Sequence, residues 1–208
     1  LVLGTWNIRN FDDNRFANGT RTDEDLFYIA EIISRFDVIA VQEVCDDLGP
    51  LDDVMRLLGN AYDYIMTDVT EGRAGNDERL GFIYDRNKVR FQGVAGEIVL
   101  PDNMQIMDGD KKRQFSRTPF MCAFQSGWFK FKFSTVHIYF GKPSGPKYER
   151  RVKEIRKVAK FLAKRAKTDE FRGRIEAATA EVREQIETVR AEKRSSEDAD
   201  HREQLSVE

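Results

Sequence analysis

The spacing of apolar residues near the start of the chain changes from helical to strand-like. Between Asp23 and Phe36 apolar residues recur at helical spacing, and either Thr22 or Asp23 is placed to cap the start of the helix. Val38–Val41 is a continuous apolar run, rich in β-branched residues, which is typical of a strand covered on both faces. The pattern therefore predicts a helix followed by a buried strand, and that strand ends at the polar pair Gln42 and Glu43.

The remaining apolar pattern up to residue 140 predicts more strands than helices. It indicates a first strand at 1–8, a second helix at 51–58, and strands at 62–67, 80–84, 89–99, 117–125 and 129–139. Strands alternate with helices early in the chain and then run in hairpins. We therefore expect an α/β (α+β) fold with mixed sheets and helices packed on them.

The character of the sequence changes after Gly145. Lys147–Lys167 is predicted to be an amphipathic helix with a basic outer face, and its inward positions are Val152, Ile155, Val158, Phe161 and Leu162. From Thr168 onward the sequence is charged and helical in pattern, and 194–208 is polar enough to be disordered. We expect a domain over 1–167 and a charged, partly disordered helical extension over 168–208.

Composition narrows the functional classes only slightly. The formal net charge is -2, so nucleic-acid binding would require a local basic patch. Cys45 and Cys122 have neither the spacing of a metal site nor that of a disulfide framework, which favours a reducing, cytoplasmic compartment and leaves secretion open. No apolar run approaches the roughly 20 residues that span a bilayer, so no membrane span is predicted.

Five short strings lie at or beside the ends of predicted strands. They are 5–11, 41–44, 77–80, 115–119 and 134–137. Taken singly, each has an ordinary explanation: Asn7 could begin a turn, Glu43 could be a surface carboxylate, and His137 could be a satisfied core histidine. Arg117 could be an edge-strand charge. Their shared position at strand ends is what makes them candidates for chemistry.

In this order and at these separations, the strings resemble the endonuclease/exonuclease/phosphatase superfamily, nearest its deoxyribonuclease I branch. The resemblance rests on Asn-Ile-Arg-Asn-Phe at 7–11, Gln-Glu-Val at 42–44, Glu-Arg at 78–79, Arg-Asn-Lys-Val at 86–89 and Ser-Arg-x-Pro at 116–119. It covers residues 1 to about 167. It implies a two-sheet β-sandwich flanked by helices, with the active site at one end.

The resemblance also implies site residues. Glu43 and Asn7 would bind Mg²⁺, with Mn²⁺ or Ca²⁺ as alternatives, and the metal would stabilise charge on a phosphoryl oxygen. His137 would act at the scissile phosphate as an acid or base, and Glu78 would orient its ring. Arg9 and Arg117 would bind backbone phosphates.

The sequence departs from the branch in two ways. Cys45 stands where deoxyribonuclease I carries an arginine, and the expected strings Gly-Asp-Phe-Asn and Ser-Asp-His do not occur. Asp198–His201 resembles the latter only superficially. We therefore expect an incomplete domain that a missing C-terminal half or a second chain would complete.

Three functions agree with these residues. The favoured prediction is a metal-dependent phosphodiesterase, an endonuclease acting on DNA. Whether this stretch of chain is active by itself is left open by the sequence. The first alternative is a degenerate nuclease domain that binds nucleic acid or a protein through the basic helix. The second is a phosphatase of lipid or inositol phosphates, because the same metal chemistry would serve it.

Overall fold

The structure is a computed structural model that describes residues 1–11, 20–68, 78–140 and 143–169, with single helical residues at 173, 180, 183, 184 and 187. The predicted disordered segment at 194–208 lies outside the described residues. The chain divides into two compact units, Leu1–Lys157 and Val158–Glu208. In the second unit, residues 158–169 are helical, and the described residues beyond 169 are helical and exposed. The predicted domain boundary at 167 and 168 stays a prediction.

The described residues form three α-helices, one short 3-10 helix (Asp102–Met104) and nine strands. The helices are α1 (Asp23–Ile33), α2 (Gly49–Leu58) and α3 (146–169). The strands are β1 (Leu3–Phe11), β2 (Val38–Val44), β3 (Tyr62–Met66), β4 (Arg79–Asp85), β5 (Arg90–Glu97), β6 (Ile106–Asp108), β7 (Lys111–Arg113), β8 (Phe120–Ser126) and β9 (Phe129–Thr135).

Helix α1 begins at a capping box. The Thr22 hydroxyl accepts from the Asp25 backbone N–H at 3.2 Å, and the Asp25 carboxylate accepts from the Thr22 N–H at 2.8 Å. These bonds satisfy backbone donors that would otherwise lack partners in the first turn. The helix ends at Ile33, three residues before the predicted end, because the N–H groups of Arg35 and Phe36 bond back only three residues and tighten the chain before β2.

Two sheets pack face to face, as the predicted sandwich requires. One has the strand order β1-β2-β4-β3, with β1 and β2 parallel, and the other has the antiparallel order β5-β8-β9. Along β2, Ile39 and Val41 belong to the core cluster that contains α1 and α2, whereas Val38 and Ala40 belong to the cluster between the sheets. A strand buried on both faces explains why its apolar run is continuous.

Aromatic side chains fill the space between the two sheets. Phe82 of β4 is fully buried, and its ring centroid lies 5.7 Å from those of both Phe120 and Phe124 on β8. Aromatic pairs at this separation contribute beyond the area that they bury. The sandwich prediction is therefore confirmed, and six of the fifteen phenylalanines of the chain pack in this layer.

Several predicted boundaries were wrong for local reasons. The strand predicted at 117–125 begins at Phe120, because Pro119 has no N–H to donate to a ladder. The strand predicted at 129–139 ends at Thr135, so His137 follows the strand instead of lying on it. The strand predicted at 89–99 is shorter at both ends, and the hairpin β6–β7 was not predicted.

The inward face of the basic helix also differs from the prediction. Ile155, predicted to face inward, is 49% exposed, whereas its neighbour Glu154 is 1% exposed. Neither Cys45 nor Cys122 forms a disulfide, and both are buried. In the part of the chain that the structure describes, no helix is long and apolar enough to cross a membrane.

Candidate active site

The strand order brings the ends of four strands to one edge of the sandwich. Asn7 on β1 pairs with Gln42 on the parallel strand β2, so both strands deliver their last residues to the same edge. Strand β4 runs antiparallel to β2 and starts beside Val44, which places the preceding residue, Glu78, there as well. The buried amide of Gln42 then donates to Thr135 Oγ1 of the second sheet at 2.7 Å. His137, two residues later, therefore follows a strand that ends at this edge.

Glu43 occupies a bulge in strand β2. Gln42 pairs with Leu80 and Val44 with Arg79, so Glu43 has no partner on β4. Its φ is 63°, and Arg9 and Asn10 opposite it have φ values of 50° and 49°. Residues other than glycine rarely adopt such angles, and their clustering is typical of functional sites. The bulge turns Glu43 out of the regular ladder, and nothing in the sequence predicted it.

Hydrogen bonds hold the Glu43 carboxylate in place. Its Oε1 accepts from Asn7 Nδ2 at 2.7 Å, and its Oε2 accepts from the Asn10 backbone N–H at 3.2 Å. The Asn7 amide is fixed in turn, because its Oδ1 accepts from the Arg9 N–H at 3.0 Å. Each of these oxygens retains a further lone pair. The NH₂ group of Asn7 therefore faces the Glu43 carboxylate, and the Asn7 amide oxygen faces the backbone of Arg9.

His137 lies between two carboxylates. Its Nδ1 is 2.7 Å from Glu78 Oε2, and its Nε2 is 3.6 Å from Glu43 Oε1. The other oxygen of Glu78 accepts from Arg117 Nε at 2.7 Å. Glu78 and Arg117 are only 4% and 8% exposed, whereas His137 is partly exposed. The ring is thus braced on its Nδ1 side, and its Nε2 side faces Glu43.

Glu78 is held in its ionised form. Burial tends to raise the pKa of this carboxyl, but hydrogen bonds from His137 and Arg117 and the charge of the guanidinium outweigh burial and lower it. An ionised carboxylate can only accept hydrogen bonds. The proton on the His137 ring therefore belongs on Nδ1, which leaves Nε2 as the nitrogen that can exchange a proton.

The lowered pKa of Glu78 predicts a pH-dependent stability. Between the folded and unfolded pKa values of Glu78, the unfolded state binds more protons than the folded state. The stabilisation that Glu78 gives to the fold is therefore fully present above the usual glutamate pKa of about 4.3. It is lost as the pH falls from that value through the lower pKa of the folded state. We expect the free energy of unfolding, measured with urea from pH 7 to pH 3, to fall less steeply in Glu78→Gln. An unchanged slope in that variant would contradict this assignment.

The cluster is compatible with a divalent cation. Glu43, Glu78 and His137 each offer a ligand atom, and these atoms lie within 4.8 Å of one another. Both oxygens of Glu78 already contact His137 or Arg117. Glu43 is therefore the carboxylate available to a metal, and with the Asn7 amide oxygen it presents the hard oxygen donors that Mg²⁺ and Ca²⁺ bind.

Five of the six predicted site residues meet at this edge: Asn7, Glu43, Glu78, Arg117 and His137. The side chain of Arg9 is exposed, and Arg9 joins the site through its backbone. Arg117 has an unexpected partner in Glu78. The assigned roles stay predictions. Sequence reasoning missed Arg21, whose guanidinium donates to the carbonyls of Ile8 and Arg9 at 3.0 and 2.8 Å. No local sequence pattern indicates such a contact.

Comparisons with known proteins identify the family of the chain. Residues 4–173 match the model of the Endonuclease/Exonuclease/phosphatase family. Deoxyribonuclease-1 of Bos taurus is 29% identical over 149 residues, which are 69% of this chain and 49% of that protein. Deoxyribonuclease-1 of Rattus norvegicus is 34% identical over 131 residues, which are 61% of this chain and 42% of that protein. The chain thus spans about half the length of these curated relatives.

A solved structure supports the fold. The crystal structure of an endonuclease/exonuclease/phosphatase family protein from Bacteroides thetaiotaomicron matches with a TM-score of 0.52 and 21% identity, and the match covers 79% of this chain and 57% of that one. The family model matches well over half of the present sequence. On these grounds the chain belongs to the endonuclease/exonuclease/phosphatase family.

Proposed function

We propose that this protein is a magnesium-dependent phosphodiesterase that hydrolyses DNA as an endonuclease. The observation that carries the proposal is the position of His137, whose Nδ1 is 2.7 Å from Glu78 and whose Nε2 is 3.6 Å from Glu43. The similarity to proteins named Deoxyribonuclease-1 supports a nuclease with a DNA substrate. The prediction that a second chain or a further segment completes the domain stays a prediction.

Glu43 and Asn7 are the proposed metal-binding residues. Their oxygens lie at one strand edge, and Glu43 keeps lone pairs beyond the bonds it accepts from Asn7 and Asn10. A divalent cation bound there would stabilise the negative charge that develops on the phosphoryl oxygens during hydrolysis. Mg²⁺ is the preferred ion because it needs only one or two protein ligands and keeps water in its other positions.

His137 is the proposed acid or base. Glu78 accepts the Nδ1 proton, so Nε2 is directed away from Glu78 and can accept a proton from water or donate one to a phosphate ester oxygen. An ionised Glu78 also stabilises the positive charge on the ring after it has gained a proton. Arg117 contributes by holding Glu78 on its other oxygen.

Phosphate binding is assigned to the arginines. Arg9 is exposed two residues after Asn7, which suits a contact with the backbone of a bound strand. Arg117 directs Nε and Nη2 at Glu78, so any phosphate contact would come from Nη1 or from the second N–H of Nη2. Its phosphate contact stays a prediction beside its contact with Glu78.

The proposal is tested by cleavage of supercoiled plasmid. The purified chain is incubated with DNA in Mg²⁺ or in a chelator, and Glu43→Gln is compared with the exposed control Glu24→Gln on α1. We expect cleavage only with the metal. For Glu43→Gln, we expect the Mg²⁺ concentration for half-maximal activity to rise at least about tenfold, because loss of partners outside the ligand shell already costs roughly 10–100-fold.

Other outcomes would redirect the assignment. Cleavage that persists in the chelator would contradict metal dependence. Salt-sensitive DNA binding without cleavage would favour the degenerate binding module. Release of inorganic phosphate from an inositol phosphate, without DNA cleavage, would favour the phosphatase. Cleavage that appears only after addition of a segment carrying the Gly-Asp-Phe-Asn string would support the split domain.

A further inference from the structure

A buried acid on helix α3 lies behind the candidate site. Glu154 is 1% exposed, and a buried carboxylate is costly unless it is hydrogen-bonded. It is well satisfied, because three donors from outside its own helix reach its two oxygens. A fully buried glutamate is unusual on the inner face of a helix, because an apolar side chain could be buried there without an electrostatic cost.

The two oxygens of Glu154 bind two different loops. Oε1 accepts from the backbone N–H and the hydroxyl of Ser116, at 3.0 and 2.7 Å. Oε2 accepts from the backbone N–H of Tyr139 at 3.0 Å. Ser116 immediately precedes Arg117, and Tyr139 follows His137 by two residues. One carboxylate therefore holds the backbones of the two segments that carry these site residues.

Arg150, one turn earlier on α3, contacts the same two loops. Its Nη2 donates to the Ser116 hydroxyl at 3.0 Å, and its guanidinium carbon lies 4.6 Å from the centre of the Tyr139 ring. Its Nη1 donates to Asp108 at 3.0 Å. These contacts limit the ways in which the loops could relax if Glu154 were altered.

The contacts form a closed circuit. It runs from Glu154 to Ser116, along the chain to Arg117, then through Glu78 to His137, and along the chain to Tyr139 and back to Glu154. Residues 136–140 have no regular secondary structure, so backbone ladders do not hold His137. Glu78 fixes the His137 ring, and Glu154 holds the same segment two residues later, at the backbone N–H of Tyr139.

We propose that Glu154 is a positioning residue that sets the distance between His137 and the Glu78–Arg117 pair. Its role in turnover rests on the proposed function, but its role in holding His137 does not. Glu154→Gln keeps the volume of the side chain and puts an NH₂ group opposite one of the N–H donors. It should therefore release one loop. Glu154→Asp keeps both acceptors on a shorter stem and should give an intermediate effect.

The kinetic test compares these variants with Glu149→Gln, which removes an exposed charge from the same helix. For Glu154→Gln we expect kcat for plasmid cleavage to fall roughly 10–100-fold with little change in KM. The reason is that a misplaced His137 weakens stabilisation of the transition state more than it weakens substrate binding. Glu154→Asp should recover part of the loss. Equal kcat in Glu154→Gln and Glu149→Gln would overturn the proposal.

A second measurement does not need turnover. The chain has only two histidines, so the rate at which diethyl pyrocarbonate modifies His137 can be followed by peptide mass spectrometry against His201 in the same molecule. We expect a several-fold faster reaction at His137 in Glu154→Gln and a smaller increase in Glu154→Asp. If the glutamine variant does not fold, the rate in Glu154→Asp tests the proposal. Unchanged His137 reactivity in folded variants would overturn the proposal even if the wild type proves inactive.

Discussion

His137→Ala is expected to reduce Mg²⁺-dependent plasmid cleavage by about 10²–10⁴-fold, the range typical of a lost general acid or base. The reason is the bracing of the ring: Glu78 holds Nδ1 at 2.7 Å, so the catalytic nitrogen is already oriented before substrate binds. The measurement is the initial rate of the folded variant at saturating plasmid. The free energy of unfolding should fall by about 1–3 kcal/mol, because Oε2 of the buried Glu78 loses its hydrogen bond to the imidazole.

The matched control is His201→Ala, which removes the other histidine of the chain. It should cleave at the wild-type rate. Comparable losses in both variants would point to a general effect of histidine removal and would refute the assignment of His137. Binding of DNA in the absence of metal should be nearly unchanged in His137→Ala, since the proposed phosphate contacts belong to arginines.

Arg117→Met is expected to destabilise the fold by roughly 3–5 kcal/mol, the usual consequence of removing one partner of a buried ion pair. Glu78 is 4% exposed and Arg117 8% exposed, so water cannot replace the guanidinium easily. The measurement is urea unfolding at pH 7. Arg90→Met, on the exposed start of β5, is the control and should stay within about 0.5 kcal/mol of the wild type.

A double variant separates the charge from the packing. Adding Glu78→Gln to Arg117→Met removes the buried carboxylate whose guanidinium partner has been lost, so part of the lost stability should return. If the double variant were less stable than Arg117→Met by the full cost of Glu78→Gln alone, the two side chains would be energetically independent. That result would contradict the pairing that the 2.7 Å contact indicates.

The elements with long, regular apolar patterns were predictable. The run Val38–Val41 marked the buried strand, and the helical spacing after Thr22 marked α1, because both depend on burial along a single element. The three-residue strands β6 and β7 gave no such signal, since a period of two cannot be recognised in so few residues. The convergence of Asn7 and Glu43 could be anticipated from strand ends and from the family resemblance.

The contacts behind the site were not predictable from local pattern. Glu154 belongs to the inner face of α3 only because N–H donors from Ser116 and Tyr139, distant in sequence, reach it there. Helical spacing predicted that Ile155 would face the core, and it did not place Glu154 among the inward positions. Arg117 was expected at a phosphate, because a buried guanidinium is recognised only when its carboxylate partner is found in space.

The bulge in β2 means that Glu43 is an addition to an otherwise complete strand. Val41 and Val44 both face the helix-side core, which an unbroken two-residue alternation would not allow. Skipping Glu43 restores that alternation, with Val44 in the place that residue 43 would otherwise take. The acid is therefore carried by one surplus residue, and a chain lacking it could keep the same apolar layer while losing the oxygen atoms at the sheet edge.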